Sequence, residues 1–192
     1  MNKFIKFSLL FLIIISIGGC FSFGGDSDQE QPAEEGYTTY RTDNFSIDVP
    51  SKWDVINQDE FTSDVPEVTV VVFRNNVKNE TFTANVNIVA RKLQEPIDSL
   101  EYAKMVVNRQ SSGLIDYREL SKEEVKISGG ETDTLLTIFE ARKNADDNLV
   151  KYIQTYGVRG DTALIVTGAV SPQESESVVQ TIEKIVKSFS LV

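Results

Sequence analysis

The chain of 192 residues sets 29 Asp and Glu against 19 Lys and Arg, a net charge of −10, and contains no histidine. An acidic surface argues against nucleic acid and against adhesion to anionic headgroups. The missing imidazole removes the usual general base near neutral pH, the usual nitrogen metal ligand and any Ser-His or Cys-His nucleophile pair, and a lone cysteine cannot build a thiolate zinc site.

The N-terminal stretch reads as an address. Lys3 and Lys6 precede an apolar run from Phe7 to Ile17, the order of a secretory signal. That run is shorter than the roughly 20 apolar residues a membrane-spanning helix requires. Ile17-Gly18-Gly19-Cys20 resembles the bacterial lipobox, so residues 1–19 are expected to be a lipoprotein signal peptide. Cys20 is then the lipidated mature N-terminus, carrying diacylglycerol and acyl chains such as palmitate. An exported lone cysteine has no disulfide partner, and acylation removes the free thiol. The competing readings are an ordinary signal peptide beside an incidental cysteine, and an uncleaved anchor.

Residues 20–36 form an acidic stretch rich in Gly, Ser and Gln, too polar to offset the entropy of ordering, and read as a flexible linker. Within it "DSDQE" at 26–30 resembles the opening ligands of a calcium loop but lacks the glycine and distant glutamate.

Residues 37–192 suffice for one domain. Phe45 to Val49 alternates apolar and polar residues before Pro50 and Trp53, the period of a strand with one buried face. "EVTVVVFRNN" and "FTANVNIVARKL" read as an antiparallel hairpin with its turn in "NNVKNET". Asp98 stands three residues before Glu101 as an N-cap, Leu100, Ala103, Val106 and Val107 recur at helical spacing, and Gly113 ends the helix. Four strand-like runs follow, "VKISG", "ETDTLLTIFEARK", "LVKYIQTYGVRG" and "TALIVTGAVS", with turns at Gly129-Gly130, Asn144–Asn148 and Gly160-Asp161. Ser171, Pro172 and Glu174 predict the start of a last helix, whose apolar face runs through Val178, Val179, Ile182, Ile185, Val186 and Phe189. The order implies an α+β fold, an antiparallel sheet with helices docked on it. Asp146-Asp147 and Glu123-Glu124 are candidate carboxylate pairs, both in turn-like surroundings.

Several of these pieces together resemble the PsbP-like family, named for the extrinsic subunit of the photosystem II oxygen-evolving complex, and related exported bacterial lipoproteins. The resemblance rests on "FSIDVPSKW" from Phe45 to Trp53, a helix after the hairpin, Gly130-Glu131-Thr132 opening a long hairpin, and a strand into "SP" before a helix ending in "IVKSFSLV". It implies an antiparallel sheet sandwiched by helices, and domains that act by docking onto protein partners rather than by catalysis. Phe45, Pro50 and Trp53 serve equally as strand, stop and core aromatic.

The expected protein is a membrane-anchored lipoprotein of the cell envelope, its domain outside the cytoplasm. It binds a protein partner or a small ligand, without a cofactor, a catalytic residue or nucleic acid. The alternatives are a carboxylate-based hydrolase or lyase of envelope polymers, and a divalent-cation module for which calcium is the natural ion.

Overall fold

The computed structural model describes residues 34–61, 65–77 and 82–192; the expected signal peptide, Cys20, the DSDQE segment and the linker as far as residue 33 lie outside them, and the unit Pro32–Val192 is the one described. Its elements are β1 (Tyr37–Arg41), β2 (Phe45–Pro50), β3 (Asp54–Asn57), β4 (Thr69–Arg74), β5 (Asn85–Lys92), α1 (Ser99–Gly113), β6 (Ile115–Ile127), β7 (Thr132–Arg142), β8 (Val150–Arg159), β9 (Thr162–Val170), α2 (Glu176–Lys187) and β10 (Ser190–Leu191). Seven strands form one sheet in the order β3-β4-β5-β9-β8-β7-β6, and β1-β2-β10 form a second. Every pairing is antiparallel. The expected α+β class holds, with strand as its main constituent.

Alternation sorts the large sheet into two faces, because successive side chains of a strand point to opposite sides. On one face Val86, Ile88, Ile153, Leu164 and Val166 join a core with Ile182, Ile185 and Val186 of α2 and with Phe45, Ile47 and Val49 of β2. On the other, Leu135, Tyr156 and Ala163 receive Tyr102, Ala103 and Val107 of α1. The helices therefore sit on opposite faces, and the small sheet shares the α2 side. Burying Ile182, Ile185, Val186 and Phe189, all 1% exposed or less, contributes roughly 6–12 kcal/mol to docking this end of the chain.

α1 starts where its sequence predicts: the Asp98 side chain accepts a 2.8 Å hydrogen bond from the Glu101 backbone N–H. Asp98→Ala is expected to lower the unfolding free energy by about 1 kcal/mol, read from the urea midpoint at unchanged slope. No change in midpoint would show that packing alone holds the first turn.

Four expectations are corrected. α2 begins at Glu176 with Ser175 as N-cap. The Ser171 Oγ accepts from the Gln173 N–H, and its carbonyl accepts from the Glu174 N–H. Ser171 to Glu174 thus closes a turn of its own, and Pro172 occupies a turn position rather than the first of the helix. The run "VKISG" is only the end of β6, a 13-residue edge strand. Its exposed, charged sequence hides it from pattern reading, yet charge is what an unpaired sheet edge carries to avoid pairing with other chains. Glu123 and Glu124 consequently lie in a strand, not a turn. Finally, β1, β3 and β10 add three short strands that the order of elements read from sequence lacks. Among the described residues no helix is long and apolar enough to cross a membrane.

Candidate functional site

The two carboxylate pairs do not assemble into a site. Glu123 and Glu124 are consecutive in β6, so their side chains leave on opposite faces; Glu124 meets Lys104 at 3.5 Å and Glu123 accepts from the Ser121 hydroxyl. Asp147 closes the β7–β8 turn by accepting from both the backbone N–H and the side-chain amide of Asn144 at 3.0 Å, while Asp146 is exposed. Among the described residues, no three acidic side chains cluster where they could hold a metal ion. Phe45 is buried, Pro50 closes β2, and Trp53 packs partly buried against the same core.

A different feature is built by the sheet face that carries α1. The helix covers only part of that face. Beyond it the β5, β9, β8 and β7 side chains floor an open cleft of about 280 Å³, including Asn87, Thr167, Gln154 and Phe139. A neighbouring cavity of about 300 Å³ runs under the edge of α1 and shares Arg91, Gln110 and Ile165 with the first. At the other end a third, of about 220 Å³, shares Lys143 and Tyr152 and reaches Phe82. Shared walls make these one elongated groove. Its apolar end holds Leu93, Tyr102, Val106 and Met105, the last 42% exposed.

The polar side chains of the floor fix one another. Tyr156 is completely buried and donates to the Gln154 Oε1 at 2.9 Å; Gln154 donates in turn to the Thr167 hydroxyl at 3.0 Å, and the Thr137 hydroxyl lies 3.1 Å from the Tyr156 oxygen. Burial pushes the Tyr156 phenol well above its ordinary value, so it stays neutral and holds one amide orientation for Gln154. Beside the network on the same sheet face, Phe139 lies against Tyr117 and Tyr152, with ring centroids 5.0 and 5.1 Å away. The Gln110 Oε1, in the wall common to the two larger cavities, is buried and has no hydrogen-bond partner among the described residues.

Charge distinguishes this groove from the rest of the surface. Among the described residues, the groove's two larger cavities are lined by Arg91, Lys92, Arg109 and Lys143 and by no Asp or Glu, and the third adds Asp147, in a chain where acids outnumber bases by 29 to 19. Lys92 is committed to Asp161, whose carboxyl is held below its ordinary value by that hydrogen bond. Arg91, Arg109 and Lys143 make no ion pair with a described residue, whereas most other cations of the domain do. Sequence reading missed them because they are separated along the chain; the signal available was Arg91 on the polar side of an alternating strand.

With the fold and groove in view, comparison places the chain among known structures. No family model and no curated protein matches it. Cyanobacterial PsbP (CyanoP) from Synechocystis sp. PCC 6803 superposes with a TM-score of 0.56 at 12% identity, over 88% of this chain and 98% of that one. LpqN, involved in cell envelope biogenesis of Mycobacterium tuberculosis, gives 0.56 at 11% identity over 77% and 83%. The Saccharomyces cerevisiae Ran-binding protein Mog1p gives 0.52 at 14% over 77% and 90%. The fold is PsbP-like, as the order of the sequence motifs implies. At these identities the likeness concerns the fold alone.

Proposed function

We propose that this protein is a lipid-anchored exported lipoprotein whose PsbP-like domain binds a protein partner at the cell envelope and catalyses no reaction, with the elongated groove beside α1 as its binding surface. The observation that carries this reading is the groove itself: an uncovered part of a sheet face, with a hydrogen-bonded floor and cations that form no ion pair with a described residue. The lipobox-like Ile17-Gly18-Gly19-Cys20 supports the anchor. Two fold neighbours, one Ran-binding and one involved in envelope biogenesis, support a docking role in the envelope. A carboxylate hydrolase needs two acids facing one cleft, and neither candidate pair supplies that. The calcium reading rests on residues 26–30 alone.

Two measurements test the proposal. The intact mass of membrane-extracted protein should correspond to a chain beginning at an acylated Cys20, and the Cys20→Ala variant should lack that mass. A photo-crosslinking residue at Met105 should yield one reproducible protein adduct in native membranes, and one at Lys126 on the β6 edge should not. A free Cys20 thiol on a processed chain removes the anchor; equal labelling from both positions, or turnover of a substrate by the purified protein, removes the groove-binding role.

A further inference from the structure

Resting on the reading of the groove as a binding surface, we infer that its occupant is an extended, acidic peptide segment of a partner protein, with apolar residues between its carboxylates. Length is the first reason. The cavities follow β5 from Leu93 at one end to Phe82 at the other, and the eight residues of β5 alone span roughly 26 Å at about 3.3 Å each. A compact metabolite would fill one of the three cavities; a strand of about eight residues fills the line.

Charge is the second. Arg91 and Arg109 stand at the α1 end and Lys143 at the middle, with no described acid in either of the larger cavities. Arg91 and Arg109 are close enough to act together on the Tyr102 phenol, drawing it downward against the rise that burial causes. Guanidinium groups engage carboxylates in paired, planar hydrogen bonds, and complementary charge selects the partner and speeds its encounter more than it adds affinity.

The third reason separates a peptide from other polyanions. The Gln110 Oε1 is a buried acceptor without a donor among the described residues, a deficit that costs until an N–H or O–H reaches it. Backbone amides supply such donors, and the side-chain amides of Asn87 and Gln154 on the floor can both donate and accept as a peptide backbone does. A chain of phosphates has neither a backbone N–H nor an apolar group for the Met105 end of the groove. An acyl chain would require an enclosed apolar pocket, and this one is open and floored by Asn87, Gln154 and Thr167.

The test uses the full chain in non-ionic detergent and a fluorescein-labelled octapeptide of alternating Glu and Val, followed by anisotropy. The peptide should bind, and its Kd should rise at least tenfold in Arg91→Glu/Arg109→Glu and again when salt is raised from low to high ionic strength. Lys143→Glu, made separately, should weaken binding in the same direction, and thermal melting confirms that each exposed-residue variant folds. Equal binding of a control octapeptide with Gln in place of each Glu, an unchanged Kd in the folded charge-reversal variants, or displacement of the peptide by a glycerol phosphate oligomer of equal charge overturns the inference. A Met105 adduct that persists while the Glu-Val peptide fails to bind overturns only the acidic class of occupant; loss of both removes the groove as a binding surface.

Discussion

Gly168→Ala is expected to lower the unfolding free energy by about 3 kcal/mol and the thermal midpoint by roughly 6–12 °C for a domain of this size. Gly168 lies in β9 on the face that carries α2, and a Cβ there would stand 2.1 Å from the Ile182 Cγ2. Its backbone conformation is ordinary, so the requirement for glycine is close approach and not a special dihedral. Ile182 is fully buried and flanked by Val186, leaving it no direction of retreat except for the helix to move away from the sheet. Helix and sheet are a single packed body, and overpacked cores respond by strain before they rearrange. The double variant Gly168→Ala/Ile182→Ala supplies the check. Removing the obstructing methyl should make the pair less destabilised than the sum of the single changes, a coupling that neighbours in contact show and distant sites do not. A Gly168→Ala midpoint within about 2 °C of the parent would mean that α2 is not seated tightly on β9.

Phe45→Ala should cost about 3–5 kcal/mol. Phe45 opens β2 in the small sheet, is 2% exposed, and has ring centroids 6.1 Å from both Tyr40 and Phe189. Tyr40 in turn meets Phe73 of β4 edge-on at 5.2 Å. Four rings thus join the small sheet, the large sheet and the end of α2, and such pairs contribute beyond the area they bury. Urea unfolding followed by the fluorescence of Trp53, the chain's one tryptophan, and by far-UV circular dichroism should give a single coincident transition, at a lower midpoint than the parent. An earlier transition in fluorescence alone would show that the small sheet detaches as a separate unit.

What the sequence made legible follows from how local each signal is. β2 could be read because a strand with one wet face alternates, and Phe45, Ile47 and Val49 are the buried members. The start of α1 could be read because a cap is a contact three residues long. The first turn of α2 misled because Ser171 closes a turn by the same side-chain chemistry that a cap uses. β6 stayed hidden because its pairing partner supplies what its own residues lack: ten registered pairs with β7 hold a strand whose side chains are mostly charged. The junction of β5 with β9, which merges the first hairpin with the later strands into one sheet, leaves no trace in either segment. The groove is less legible still. Arg91, Arg109 and Lys143 come from a strand, a helix and a strand end, and each alone looks like an ordinary surface cation. Only the paired topology shows that they line one groove, in whose two larger cavities no described acid stands.

The last strand has a consequence for how the chain reaches its folded state. β10 pairs with β2, the Leu191 N–H donates to the Ser128 hydroxyl at 2.8 Å, and Phe189 and Leu191 press against Gly157 so closely that a Cβ there would stand 2.9 Å from both side chains. The pairing of β10 with β2 joins residues more than 140 positions apart, such as Ser46 and Ser190, and such distant closures form late because the intervening loop must first be ordered. A polypeptide emerging N-terminus first keeps Phe45 and its neighbours without their lid until residue 189 has cleared the exit. Until then the Phe45 face of the small sheet stays uncovered, so the closure of this core waits on Phe189 and Leu191.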